Sequence, residues 1–97
     1  MTPGSHSCRL RTVKPEELDA LIAGNVRAAR ARLRLRQEDL ADEIGWSRPT
    51  VSSLEAGTRR ITVADAVALC SALKLTLPEL LRGAPSEVFE ALGVTPA

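Results

Sequence analysis

The chain has 97 residues, 44% of them apolar, enough for one domain with one modest core; a domain of this size buries about 65% of its unfolded surface and needs no disulfide or metal staple. Thirteen Lys and Arg against twelve Asp and Glu leave a net charge of +1, which by itself advertises neither nucleic acid nor membrane. No uncharged run exceeds eight residues, short of the about 18 that span a bilayer, and the opening residues lack the apolar stretch of a signal peptide, so a cytoplasmic protein is expected.

The order of the charges says more than their sum. Residues 1–36 carry eight basic and three acidic side chains, residues 37–57 one basic and five acidic, and residues 58–97 four of each. A basic first third is a footprint for a polyanion, or simply a solvated helix face. Of the two cysteines, Cys8 lies in a Gly/Ser/Pro-rich opening and Cys70 in an apolar run, where a small core residue is expected. The one histidine is His6. Composition therefore offers no cluster for a metal and no nucleophile with its base, so no enzyme and no cofactor are expected.

Residues 1–14 read as a flexible leader. From Pro15, suited to a first helical position, Leu18, Leu21, Ile22, Val26, Ala29 and Leu33 recur at helical steps, with Gly24 and Asn25 marking a kink or an earlier break. Leu40, Ala41 and Ile44 define a second helix closed by Gly45. Ser47 caps a third, with Pro49 harmless in its first turn, Val51 and Leu54 facing inward, and Gly57 ending it. Thr62 with Asp65 opens a fourth helix through Val63, Ala66, Val67, Leu69, Cys70 and Leu73; Thr76 with Glu79 opens a brief fifth with Leu77, Leu80 and Leu81, closed by Gly83. No strand alternation and no repeat occur, so the expected fold is all-α, a compact five-helix bundle over residues 15–83. Residues 84–97 form a C-terminal extension in which Ser86 to Leu92 adds one or two turns.

The informative segment runs from Gln37 to Gly57. Two short helices cross steeply around a tight turn only if their contact is small and the turn tolerates an unusual backbone, and Ala41 and Gly45, four apart, meet both demands. Leu40, Ile44, Val51 and Leu54 then anchor both helices, leaving Ser47, Arg48, Pro49, Thr50 and Ser53 outward, the small and polar groups of a helix that reads the major groove.

This pattern resembles the helix-turn-helix family of phage repressors and Cro proteins, the XRE-type regulators. The resemblance covers roughly Ile22 to Arg82 and rests on Gln37, the Leu40-Ala41 pair, Gly45, the run SRPTVS from Ser47, the LEAG end of the third helix and the segment Thr76 to Leu81. It implies a lambda-repressor-like bundle whose second and third helices form the motif, and a bacterial or phage regulator, by expectation a repressor, binding a specific double-stranded DNA operator. By the same resemblance Arg48, Pro49, Thr50 and Ser53 read bases, while Arg36, Gln37, Ser47, Arg59 and Arg60 hold the DNA backbone. Arg30 and Glu55 fall where the family often has a buried ion pair. Three positions depart from the pattern: Arg34 and Arg36 stand in place of the usual Gly and Ser/Thr, and Ala56 replaces an Asn that often holds phosphate. Trp46, unusual in the turn, is expected to shield the helix junction.

A second reading on the same fold is a protein-interaction module, such as an antitoxin with a toxin partner. The exposed basic and small residues of the third helix favour DNA, since a protein-docking surface there would carry larger apolar groups. One reading helix covers about four or five base pairs, so a homodimer on two half-sites is expected. Val88, Phe89 and Leu92, on one side of the last segment, are the expected dimer interface.

Overall fold

The computed structural model describes residues 14–97; residues 1–13 of the expected leader, with His6 and Cys8, lie outside the described residues. Six helices follow one another: α1 (Pro15–Arg32), α2 (Gln37–Ile44), α3 (Arg48–Glu55), α4 (Val63–Leu73), α5 (Leu77–Leu80) and α6 (Ser86–Leu92). No strand occurs among the described residues, and the fold is the all-helical bundle that the periodicities predict.

Local chemistry sets the helix starts. Pro15 opens α1 where its missing N–H is harmless. The Ser47 hydroxyl accepts the Thr50 amide at 3.3 Å. Thr62 and Asp65 form a reciprocal capping box, Asp65 N donating to Thr62 Oγ1 at 3.0 Å and Thr62 N to Asp65 Oδ2 at 3.1 Å. Thr76 and Glu79 repeat it for α5. α2 is the exception: Arg36 at its N-cap has no side-chain acceptor, and only the return half of the box exists, Arg36 N donating to Asp39 Oδ2 at 2.9 Å.

The core is one cluster drawn from every helix. Ile22, Val26 and Ala29 of α1 meet Leu40 and Ala41, Val51 and Leu54, Leu69 and Leu73, and Leu80 with Leu81. Each fully buried Leu or Val removes enough apolar surface from water to contribute about 1.5–3 kcal/mol before entropy is counted.

Three expectations are corrected. Gly24 and Asn25 neither kink nor end α1, which runs unbroken to Arg32; Asn25 is there for its amide, which donates to the Leu80 and Arg82 carbonyls at 2.7 and 3.0 Å and ties α1 to the end of α5. α4 is apolar nearly all round, and the face it buries carries Leu69, Leu73 and Asp65, whereas Val63 and Val67 are 82% and 65% exposed. Cys70 is half-buried. Finally, α6 is no appended extension, and the expected dimer residues divide: Val88 and Phe89 are buried in this same core, and only Leu92, 51% exposed, faces outward. Phe89, 4% exposed, joins the core cluster because burying an aromatic ring removes a large apolar area from water.

Candidate nucleic-acid interface

The motif is built around Gly45. α2 ends with that residue in the left-handed region, at φ 74°, and the amides of Gly45 and Trp46 both turn back to the Ala41 carbonyl. A side chain at position 45 would meet no neighbouring atom, so glycine is required by backbone conformation and not by space. Ala41, almost fully buried, lets α3 cross α2 closely.

α3 is held by Val51 and Leu54, both without solvent exposure, and by Glu55. Its opposite side presents Arg48, Pro49, Ser52 and Ser53, all exposed, with Thr50 half-buried. Arg48 pairs with no carboxylate among the described residues. Thr50 shares its hydroxyl with Ser47 at 2.8 Å, so these two side chains close the first turn on themselves while Arg48 points away free.

Glu55 is the fixed point behind α3. It is 4% exposed, and Arg30 grips it with two bonds, Nε to Oε2 at 2.7 Å and Nη2 to Oε1 at 3.0 Å. The remaining Arg30 nitrogen donates to the Leu35 carbonyl at 2.8 Å, and Gln37 Nε2 donates to Glu55 Oε1 at 3.1 Å. Glu55 raises the guanidinium pKa of Arg30, chiefly through that hydrogen bond. Arg27 completes the set by donating to the Glu55 carbonyl at the C-terminal end of α3, where a cation also opposes the helix dipole. One carboxylate thus joins α1, α2 and α3.

The loop from Ala56 to Thr62 is pinned in three places. The Thr58 hydroxyl and amide both donate to the Ser53 carbonyl, at 3.1 Å each. Arg59 lies over the Trp46 ring, 4.7 Å from its centroid, and reaches Asp65 at 3.4 Å. Asp19 of α1, largely buried, accepts the Ile61 amide at 3.2 Å and pairs with Arg60 at 3.4 Å. The arginines expected on the DNA backbone therefore differ in their freedom: Arg60 and Arg36 are paired but widely exposed, and Arg59 is held on two sides. Arg36 engages Asp39 and holds that carboxyl below its usual range, first through the side-chain bond and then through its backbone amide.

Sequence reasoning did not find Arg27, Asp19, Asp65 as a loop anchor, or the Trp46–Arg59 stack. Asp19 left one legible signal, an acid at i and apolar residues at i+3 and i+7 on the buried stripe of α1, Ile22 and Val26. The stack left none, because its members are 13 positions apart and on different loops.

A short buried-contact turn, a following helix with small polar groups and a free arginine on its outer side, and a loop of basic residues at its end define a DNA-binding helix-turn-helix domain. The helix-turn-helix family matches residues 26–80, and the chain belongs to that family, in its XRE-type branch. It is 34% identical over 65 residues to the control protein C.SmaI of Serratia marcescens, covering 67% of this chain and 77% of that protein. Among solved structures, a hypothetical transcription factor NHTF from Neisseria superposes with a TM-score of 0.65 at 28% identity, covering 81% of this chain and 90% of the other. The restriction-modification controller protein C.AhdI from Aeromonas hydrophila does so with a TM-score of 0.61 at 29% identity, covering 64% and 94%. The chain is a DNA-binding transcriptional regulator. No helix among the described residues is long and apolar enough to cross a membrane.

Proposed function

We propose that this chain is a repressor that binds a two-fold operator as a homodimer in the bacterial cytoplasm, each copy laying α3 in the major groove. The observation that carries it is the outer side of α3, where Arg48 stands unpaired beside Pro49, Thr50 and Ser53. An arginine in the first helical turn matches the O6 and N7 acceptors of guanine with two donors. Pro49, Thr50 and Ser53 complete the base-reading side, and Ser47, Gln37, Arg36 and Arg60 hold phosphate on either flank. Gln37 can do so with one amide hydrogen while the other stays on Glu55.

The second copy seats on the apolar side around Leu92. Val63 and Val67 stand exposed beside a groove lined by Ile61, Ala66, Cys70 and Leu77. An isologous contact needs one patch to act as both ridge and groove, and these valines next to that groove supply both. The groove is apolar apart from Asp19 and Thr62 at one end, and an exposed apolar face of this kind marks a contact surface.

Selection of bound sites from a random duplex library with the purified chain tests this reading. The expected result is an inverted repeat whose half-sites lie about one helical turn apart, each holding a guanine that Arg48→Ala no longer selects. Recovery of no enriched sequence would overturn it.

A further inference from the structure

We infer that Trp46 and Arg59 are positioning residues for DNA reading, and that Arg59 sets the orientation of α3 without binding phosphate itself; the inference rests on the function proposed above. Trp46 lies one residue before the Ser47 cap of α3, and Arg59 lies four residues after its last residue, Glu55. Their contact at 4.7 Å therefore joins the two ends of one eight-residue helix. Val51, Leu54 and Glu55 all hold α3 from its inner side, which leaves a small roll about its axis the least restrained of its motions. A roll of about 15° moves a side-chain tip roughly 6 Å from the axis by about 1.6 Å, more than a base-edge hydrogen bond tolerates. The stack opposes that roll from outside the core.

The surroundings of the guanidinium give it little freedom for another partner. Its face is taken by the indole, its Nη2 lies 3.4 and 3.5 Å from the two Asp65 oxygens, and its Nε is buried with no acceptor. Asp65 is itself fixed, since its carboxylate accepts the Thr62 amide in the capping box of α4. A desolvated donor without a bond is a cost that persists only where the neighbours determine the geometry, and here they are a ring and a carboxylate that both belong to the fold. The Arg59 side chain is 35% exposed and lines an outer concavity with Pro49, Thr50, Ser53 and Thr58, so its held face and edge are the parts engaged by the fold. The cation–π contact is strongest for a planar guanidinium over an indole, so neither partner is replaceable by charge or bulk alone.

The test uses the whole purified chain and a duplex carrying its selected site, with a scrambled duplex beside it, over a range of salt concentrations. Positioning predicts that Arg59→Ala and Trp46→Ala each weaken the selected site by tenfold or more, change scrambled-duplex affinity less than threefold, and leave the slope of log affinity against log salt unchanged. Trp46→Phe restores most of the discrimination, and the double variant is no worse than either single one. Arg59→Lys, which keeps the charge and loses the planar stack, still loses discrimination; it and Trp46→Phe carry the test if the alanine variants do not fold. The inference is overturned if Arg59→Ala lowers affinity for both duplexes alike and reduces the slope by about 0.9, the signature of one lost phosphate contact, or if Trp46→Ala binds as the parent does. A parent chain that shows no preference for any duplex would instead remove the functional reading beneath it.

Discussion

Glu55 gathers three helices at one point, because Arg30 of α1 and Gln37 of α2 both bond its carboxylate on α3. Removing Arg30 or Glu55 alone strands the other charge and is expected to cost about 3 kcal/mol in urea unfolding, at the lower end of the range for buried pairs because Arg30 keeps one side open to water. Replacing both with Met and Leu should cost far less. A double-mutant cycle with additive, small effects would show that the pair couples nothing. At the opposite surface, Arg48→Ala should leave the unfolding midpoint unchanged and weaken the preferred site by about 1–3 kcal/mol, relaxing one base position per half-site. Equal weakening of every duplex would reassign Arg48 to the backbone. The position of the Arg30–Glu55 pair could be inferred only from the family pattern; what the sequence does not display is that Arg27 and Gln37 converge on the same residue, since both bonds cross between helices.

At the level of helices, the ends obey local rules and two of them break one. Arg34 and Lys74 adopt left-handed conformations, at φ 58° and 57°, where only glycine is unstrained. Each closes a helix whose orphan carbonyls it satisfies, α1 through Leu35 N to Arg30 O and α4 through Leu75 N to Cys70 O. Lys74→Gly is expected to raise stability by about 0.5–1 kcal/mol, the strain relieved less the extra freedom glycine has when unfolded; a lowered melting temperature would refute it. The starts of α2 and α5 carry carboxyls held below their usual range, Asp39 by Arg36 and Glu79 chiefly by the Thr76 amide. Their unfolded counterparts titrate near pH 4, so the stability they contribute is full above that value and is lost as pH falls through the lower folded value. The urea midpoint should therefore hold from neutrality to about pH 5 and drop below about pH 4, less steeply in Asp39→Asn with Glu79→Gln. The Thr62–Asp65 and Thr76–Glu79 caps were legible because their members are three residues apart, whereas the left-handed Arg34 and Lys74 and the Arg36–Asp39 bond were not, since neither arginine nor lysine is a residue type that marks a cap or a turn. The buried side of α4 was not, since VADAVALCSAL offers apolar residues in every direction, and the neighbours that choose Leu69 and Leu73 over Val63 and Val67 lie elsewhere in the chain.

For the whole molecule, the division between core and contact surface decides two experiments. Phe89→Ala should cost about 3–5 kcal/mol by leaving a cavity, giving a less stable chain and not a folded monomer. Val67→Asp with Leu92→Asp should keep the helical circular dichroism and melting temperature while halving the sedimentation mass; an unchanged mass would remove the proposed contact. Counting apolar residues told how large the core is, but not which segment completes it, and the lone phenylalanine went to the wrong side for that reason. The outward side of α3 was legible because its neighbours in sequence are also its neighbours in space. Asp19 shows the reverse case: it holds the Ile61 amide from 42 positions away. The loop that ends α3 thus keeps its first turn through Thr58 and Ser53, but its far end at Ile61 is not fixed until α1 has docked. A peptide of residues 37–62 would then carry every side chain proposed to contact bases and still not present them in one fixed arrangement, and in the intact chain the Ile61 amide should exchange its hydrogen for deuterium only when the entire domain opens.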